Sequence, residues 1–187
     1  MRVMIIPEDP TLDQFILKPA IEAVFDDLKR VARVQVLSNP RLRSVEQALE
    51  PKLLESILNS NPQTDLFLLL LDRDCGQNRI HRVMARETEA QNSGKWLCGC
   101  LAIEEIEMWV LAISQEELPA SWQEMRKECH PKETYFNPLV AQLGLQNDVG
   151  RGRKQMMKDL AGRYSRLFQL CPEIAELRER IRQKLDS

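Results

Sequence analysis

Two carboxylates separated by one residue follow an uninterrupted apolar stretch of the chain. Asp72 and Asp74 come directly after the six apolar residues at 66–71, and Glu8 follows the first apolar run, at 2–6. If these runs are neighbouring parallel strands, the three carboxylates meet at the carboxyl edge of the sheet, where open α/β folds bind ligands. Carboxylates this close raise each other's pKa unless a cation lies between them. Hard oxygen ligands suit Mg²⁺ or Mn²⁺, so we predict a metal site formed by Glu8, Asp72 and Asp74, although acids in an ordinary surface loop would give the same pattern.

A second group of acidic side chains lies farther along the chain. Glu104, Glu105 and Glu107 follow another apolar run, at 95–103. Acids at the start of a helix are stabilised by the helix dipole, which alone would explain the cluster. Alternatively, one or two of these glutamates complete a second metal position at the same sheet edge. Glu104 and Glu107 share a helical face, and Glu105 and Glu107 do so only if the helix begins later, so the spacing leaves the pair open.

A basic segment lies in the C-terminal half of the chain. Arg151, Lys154 and Lys158 fall at i, i+3 and i+7, and Arg153 lies between them. A basic helix face is usually just solvated. In a chain with an acidic site, it could also hold a nucleic-acid phosphate backbone near the metals.

The elements that must position these side chains alternate along the first part of the chain. Short apolar runs predict four strands, at 2–6, 33–37, 66–71 and 95–103, and helical spacing predicts helices at 12–30, 45–59, 78–88 and 104–113. Alternation of this kind favours a parallel sheet with right-handed crossovers. We therefore predict an α/β fold, a Rossmann-like, mostly parallel sheet of about four strands flanked by helices.

The rest of the chain shows helical patterns and no clear strand. Helices are predicted at 153–170 and 173–185, with Cys171 and Pro172 between them. Proline suits the first turn of the second helix. We expect an α/β core at 1–113 and a helical C-terminal extension at 114–187, packed on the core.

Composition limits the possible settings of the protein. The 187 residues carry a formal net charge of −2, which predicts no bulk attraction to nucleic acid or membrane, so any basic site must be local. No apolar run approaches the ~20 residues that span a bilayer, and the N-terminal run is too short for a signal peptide. Five cysteines, an odd number, suit reduced thiols in a cytoplasmic protein.

With these features in place, the chain resembles the Toprim domain of topoisomerases, primases and OLD-family nucleases. That domain has a glutamate after its first strand and Asp-x-Asp after its third, which match Glu8 and Asp72-Arg73-Asp74. The likeness is greatest to small Toprim-like proteins related to the OLD nucleases. Their later strand leads into a segment like 105–109, and their C-terminal part carries a lysine ahead of a helix and a Cys-Pro step, as Lys154 and Cys171-Pro172 do here.

The resemblance implies metal-dependent cleavage of phosphodiester bonds in nucleic acid, with DNA favoured over RNA. It implies that Glu8 ligates a metal or acts as general base, that Asp72 and Asp74 bind or bridge the metals, and that Lys154 stabilises negative charge on the phosphate. It also assigns a second metal to Glu105 and Glu107. A protein partner encoded nearby, in a defence or mobile-element system, would fit the same relatives.

Two other functions are compatible with these residues. A non-catalytic Toprim-like module would use the basic segment to bind nucleic acid or protein without cutting. A phosphotransfer receiver shares the acidic sheet edge, but it requires a lysine at the end of a fifth strand, which the sequence does not predict.

Overall fold

A computed structural model of the chain describes residues 1–76, 78–114, 118, 120–158 and 162–187. In these residues four strands form one sheet: β1 (Arg2–Pro7), β2 (Arg33–Val36), β3 (Leu66–Asp72) and β4 (Leu97–Ala102). The strand order is β2-β1-β3-β4, and all neighbouring strands are parallel. The predicted α/β fold, a Rossmann-like parallel sheet of about four strands flanked by helices, is confirmed.

Four helices of the first part of the chain connect these strands, and a fifth follows β4. They are α1 (Gln14–Asp27), α2 (Val45–Ala48), α3 (Pro51–Ser60), α4 (Arg79–Asn92) and α5 (Glu107–Ile113). The single helix predicted at 45–59 is two helices, because Pro51 lacks the N–H that a helix interior needs and instead occupies the first turn of α3. The helix predicted at 104–113 begins only at Glu107, so Glu104 and Glu105 lie in the connection that precedes it.

The described residues after 113 are helical or irregular. They form α6 (Trp122–Met125), a π-helical turn (Lys132–Phe136), α7 (Asn137–Gln142), α8 (Arg153–Met157), α9 (Tyr164–Leu170) and α10 (Pro172–Leu185). The helix predicted at 153–170 is observed as α8 and α9, and its part at 159–161 lies outside the described residues. Pro172 begins α10, as predicted.

Two apolar clusters cover the two faces of the sheet, and β3 contributes to both. Leu66, Leu68 and Leu70 pack with α1, α5 and the C-terminal helices. The alternate residues of β3 pack with α2, α3 and α4 on the opposite face. This alternation follows from the two-residue period of a strand and explains why the run carries no polar residue.

On the outer side of β4, the backbone of Gly99 is bound by side chains. The Gly99 N–H donates to the Glu87 carboxylate, and Arg180 donates to the Gly99 carbonyl oxygen at 3.0 Å. Glu87 and Arg180 are themselves ion-paired at 2.6 Å. A β-carbon at Gly99 would lie 2.0 Å from the Val83 Cγ1 atom, so the close approach of α4 to β4 requires glycine here.

Candidate metal centre

The strand order brings three strand ends together at one edge of the sheet. β3 lies between β1 and β4, Pro7 aligns with Leu70, and Asp72 aligns with Ala102. The residues that follow β1, β3 and β4 therefore emerge side by side at the carboxyl edge, where parallel sheets bind ligands.

Three carboxylates converge at this edge. One oxygen each of Asp72, Asp74 and Glu105 lies within 4.8 Å of the other two. Glu105 is buried, Asp72 is half-buried and Asp74 is exposed, so the group opens to solvent on one side. An all-oxygen group of this size could hold a divalent cation.

Asp72 is held by the last residue of the connection that leads from β4 into α5. Its Oδ1 atom accepts a hydrogen bond from the Ile106 backbone N–H at 2.9 Å. Burial raises the pKa of Asp72 well above its usual range, and the neighbouring carboxylates of Glu107 and Asp13 raise it further. The site therefore resists full ionisation unless positive charge is present.

Glu105, rather than Glu104 or Glu107, is the glutamate whose carboxylate lies with those of Asp72 and Asp74. Its Oε2 atom accepts a hydrogen bond from the Lys132 backbone N–H at 2.8 Å. Burial raises the pKa of Glu105 to about 7, and the nearby carboxylates of Glu107 and Glu133 act in the same direction.

Asp74 lies in a tight loop that begins directly after β3. Asp74 and Cys75 both have positive φ angles, 45° and 53°, which non-glycine residues rarely adopt. Arg79 donates to the Asp74 Oδ2 atom at 2.7 Å and to the Asp72 carbonyl oxygen at 2.6 Å. The start of α4 thus already supplies the Asp74 carboxylate with a positive charge.

Arg73, which interrupts the two acids, is ion-paired with Glu104. The Glu104 carboxylate also accepts from the Cys75 N–H, and the Glu104 carbonyl oxygen accepts from the backbone N–H groups of Arg73 at 2.9 Å and Asp74 at 3.1 Å. Burial acts to raise the pKa of Glu104, but the hydrogen bonds from Arg73 and Cys75 outweigh it, and the net pKa is lowered. Glu104 is therefore a latch for the Asp74 loop.

Glu8 lies beside the group of three but outside it. Burial raises its pKa, and Asp74 raises it further, whereas Arg79 and Lys132 act to lower it. Its Oε2 atom is buried without a hydrogen-bond partner among the described residues. The structure thus brings Glu8 to the same edge with one carboxylate oxygen unused.

Glu107, predicted as a metal ligand, is placed differently. Its side chain is buried and ion-paired with Arg153, which is itself only 2% exposed. Arg153 also lies over the Phe136 ring, 5.0 Å from its centroid. The prediction that Arg153 contacts nucleic acid is incompatible with this burial, because its guanidinium is committed to the protein interior.

The other residues of the basic segment lie on the surface. Arg151 is exposed in the turn before α8, with a φ angle of 52°. Lys154 and Lys158 are exposed and line a cavity of about 850 Å³ between α1 and α8, to which Lys18 also contributes. Lys154, expected to act on the reacting phosphate, has no hydrogen bond or ion pair with the three carboxylates in the described structure.

Two functional candidates at the edge were not found from the sequence. The charge of Lys132 interacts with the neighbouring carboxylates. Burial alone would lower its pKa, but Glu107 and Glu105 raise the pKa above its ordinary value. Asp13 stands before α1, and burial raises its pKa to about 7, with Glu107 adding to the effect. Asp13 follows β1 closely enough to be suspected of reaching this edge, but Lys132 lies in an irregular segment with no periodic signal.

The cysteine prediction was wrong for two of the five residues. Cys75 and Cys129 form a disulfide with a Cα–Cα distance of 5.7 Å. Cys98, Cys100 and Cys171 are free and buried.

Comparison with known proteins gives the site no family context. Within the described residues, no helix has both the length and the apolar character needed to cross a membrane. No protein-family model, curated protein or solved structure matches the chain.

Proposed function

We propose that the protein is a divalent-metal-dependent nuclease that cleaves phosphodiester bonds. The observation that carries the proposal is the convergence of Asp72, Asp74 and Glu105 within 4.8 Å at the carboxyl edge of a parallel sheet. Burial and neighbouring carboxylates leave Asp72 and Glu105 short of positive charge, and a bound cation would supply it.

Mg²⁺ or Mn²⁺ is the ion that we propose, because carboxylate oxygens and solvent would complete a small octahedral coordination shell. When bound, such an ion polarises a phosphate oxygen and lowers the pKa of a bound water. Lys132 lies close enough to Glu105 and Glu107 to offset part of the remaining negative charge around the substrate phosphate.

Glu8 is the best candidate for the general base. Its carboxylate has one oxygen without a hydrogen-bond partner, and its raised pKa makes it a better proton acceptor than an ordinary glutamate. In this scheme Glu8 takes the proton from the attacking water, while Asp72, Asp74 and Glu105 hold the ion.

The cavity between α1 and α8 is the proposed path for the nucleic-acid backbone. Lys18, Lys154 and Lys158 line it and outnumber the two acids there, Glu22 and Asp148, while Gln14 and Asn147 add neutral hydrogen-bonding groups. Gln14 and Lys154 directly follow Asp13 and Arg153, two residues whose charges act on each other and on Glu107. The cavity is therefore lined by residues adjacent in sequence to two groups that act on Glu107, and in this proposal a strand bound along it continues toward the carboxylates.

The test combines metal binding with cleavage of supercoiled plasmid DNA. We expect Mn²⁺ at 100 times its Kd to stabilise the protein by about 2.7 kcal/mol and to support nicking. Asp72→Asn should lose both properties, whereas Glu8→Gln should keep metal binding and lose nicking. Glu55→Gln, on the exposed side of α3, is the matched control and should behave as the parent. Nicking by Asp72→Asn at the parent rate would overturn the proposal.

One observation favours a non-catalytic binding module instead. Arg79 already provides Asp74 with a positive charge at 2.7 Å, and this ion pair could replace a metal. The Arg79→Ala variant separates the two functions. A metal centre with an intact Asp74 should bind Mn²⁺ more tightly without the competing guanidinium, whereas a module stabilised by the ion pair should lose stability and still bind no ion.

A further inference from the structure

The Cys75–Cys129 disulfide joins two segments that each carry part of the carboxylate group. Cys75 directly follows Asp74, and Cys129 lies in the segment that leads to Lys132, whose backbone N–H holds Glu105 at 2.8 Å. The disulfide thus connects the loop that carries Asp74 to the segment whose backbone N–H binds Glu105.

The other contacts of the Asp74 loop run elsewhere. They connect the loop to Glu104, Ala102 and Arg79. Among the hydrogen bonds and ion pairs of the described residues, none directly joins 73–76 to 126–132. Opening the disulfide would therefore leave these two segments without a direct tie.

The Asp74 loop is also expected to become more mobile when the disulfide opens. The positive φ angles of Asp74 and Cys75 are strained for residues with a β-carbon, and such conformations persist only where surrounding contacts over-determine them. Removing one of those constraints would broaden the positions that the Asp74 carboxylate samples.

The two disulfide-bonded cysteines are at least partly exposed to solvent, whereas the three free cysteines are buried. Cys75 is exposed and Cys129 is partly exposed. Cys98, Cys100 and Cys171 are buried, and burial raises the pKa of each thiol, which keeps it protonated and unreactive. A thiol reductant would therefore act selectively on the Cys75–Cys129 bond.

We propose that this disulfide is a redox switch for the metal centre, in which the oxidised form holds the carboxylates assembled and reduction loosens them. The inference rests on the metal site of the proposed function. In the reaction, two thiols of a reductant form their own disulfide, the protein disulfide accepts the two electrons, and Cys75 and Cys129 each gain a proton.

The experiment compares Mn²⁺ binding by the oxidised and reduced forms of the full chain. Protein is reduced with dithiothreitol, freed of reductant without air, and titrated beside the oxidised form. Thiol counting after denaturation checks the states: three free thiols when oxidised and five when reduced. We expect the Kd for Mn²⁺ to rise at least about tenfold on reduction, the scale of losing a ligand's support. The Cys75→Ser/Cys129→Ser variant should have the same Kd for Mn²⁺ as the reduced parent, and dithiothreitol should not change it.

Amide hydrogen exchange provides a second measurement that does not need the variant to fold. Residues 73–76 and 126–132 should exchange faster in the reduced parent. Two outcomes would overturn the switch and leave the metal centre standing. One is equal Mn²⁺ affinity in the two forms, and the other is five thiols in protein purified without reductant and exposed to air. Absence of Mn²⁺ binding in both forms would overturn the metal centre itself, and the switch with it.

Discussion

The Arg153 guanidinium is ion-paired with the Glu107 carboxylate, and both side chains are almost completely buried. The sequence predicts a ligand contact for each residue, a metal for Glu107 and nucleic acid for Arg153. Burial of the pair gives it a structural role instead: it neutralises one carboxylate behind the acidic edge and fixes the start of α8 against α5.

Loss of one member of this pair should destabilise the protein strongly. Arg153→Met removes the cation and leaves a buried, uncompensated carboxylate, which typically costs about 3–5 kcal/mol. Urea unfolding in EDTA measures the change. Arg151→Met, on the exposed turn before α8, is the control and should change stability by less than about 0.5 kcal/mol. Similar losses in the two variants would show that the pair is not a stabilising element.

The crowded carboxylates should make the metal-free protein less stable as pH rises. The pKa of Glu105 is raised to about 7, against about 4.3 in an unfolded chain. A carboxyl with a raised folded-state pKa opposes folding once it ionises, so its penalty is absent below about pH 4 and grows up to about pH 7. Glu105→Gln should therefore be more stable than the parent at pH 8 in EDTA, with the difference vanishing near pH 4. A difference that is constant from pH 4 to pH 8 would contradict the raised pKa.

The Glu104 latch should support metal binding without touching the metal. Glu104→Ala removes the partner of Arg73 and of the Cys75 N–H, which frees the loop that carries Asp74. We expect Mn²⁺ affinity to fall by about 10- to 100-fold, with an unchanged circular dichroism spectrum. Glu55→Ala is the control on the other face of the sheet. An unchanged affinity would mean that the remaining contacts hold Asp74 without the latch.

The lysines of the α1–α8 cavity should set the salt dependence of DNA binding. Lys154→Ala/Lys158→Ala removes two exposed charges, so the slope of log K against log salt should become shallower by about 0.9 for each lost phosphate contact. Fluorescence anisotropy with labelled duplex DNA in EDTA measures binding without cleavage. Lys52 lies on α3, across the sheet, and the control variant Lys52→Ala should leave the slope unchanged. An equal effect of Lys52→Ala would indicate diffuse attraction rather than a binding path.

The sequence was informative about the sheet and about the acids that follow its strands. The apolar run at 66–71 predicts a strand buried on both faces, and β3 is one. The Asp-x-Asp pair after it contributes two of the three converging carboxylates. These features were predictable because a strand's periodicity and the edge where it ends are local properties of the chain.

The remaining parts of the site depend on contacts between distant residues. Glu105 rather than Glu104 joins the group because the connection after β4 turns back through a positive φ angle of 57° at Glu104, which no periodic pattern indicates. Lys132 and Cys129 reach the edge through an irregular segment, and Arg153 is buried because Glu107 neutralises it. The spacing of the basic residues could not distinguish that buried arginine from its exposed neighbours.

The side-chain hydrogen bonds to Gly99 on the edge strand β4 affect the tendency of the protein to aggregate at high concentration. An edge strand with free backbone donors and acceptors is a template on which another chain can pair, a common route to aggregation. At Gly99 both backbone groups already bind Glu87 and Arg180, so an incoming strand would first have to displace an ion pair. At this position the edge is thereby protected from intermolecular β-pairing by side chains that come from two helices on opposite faces of the sheet.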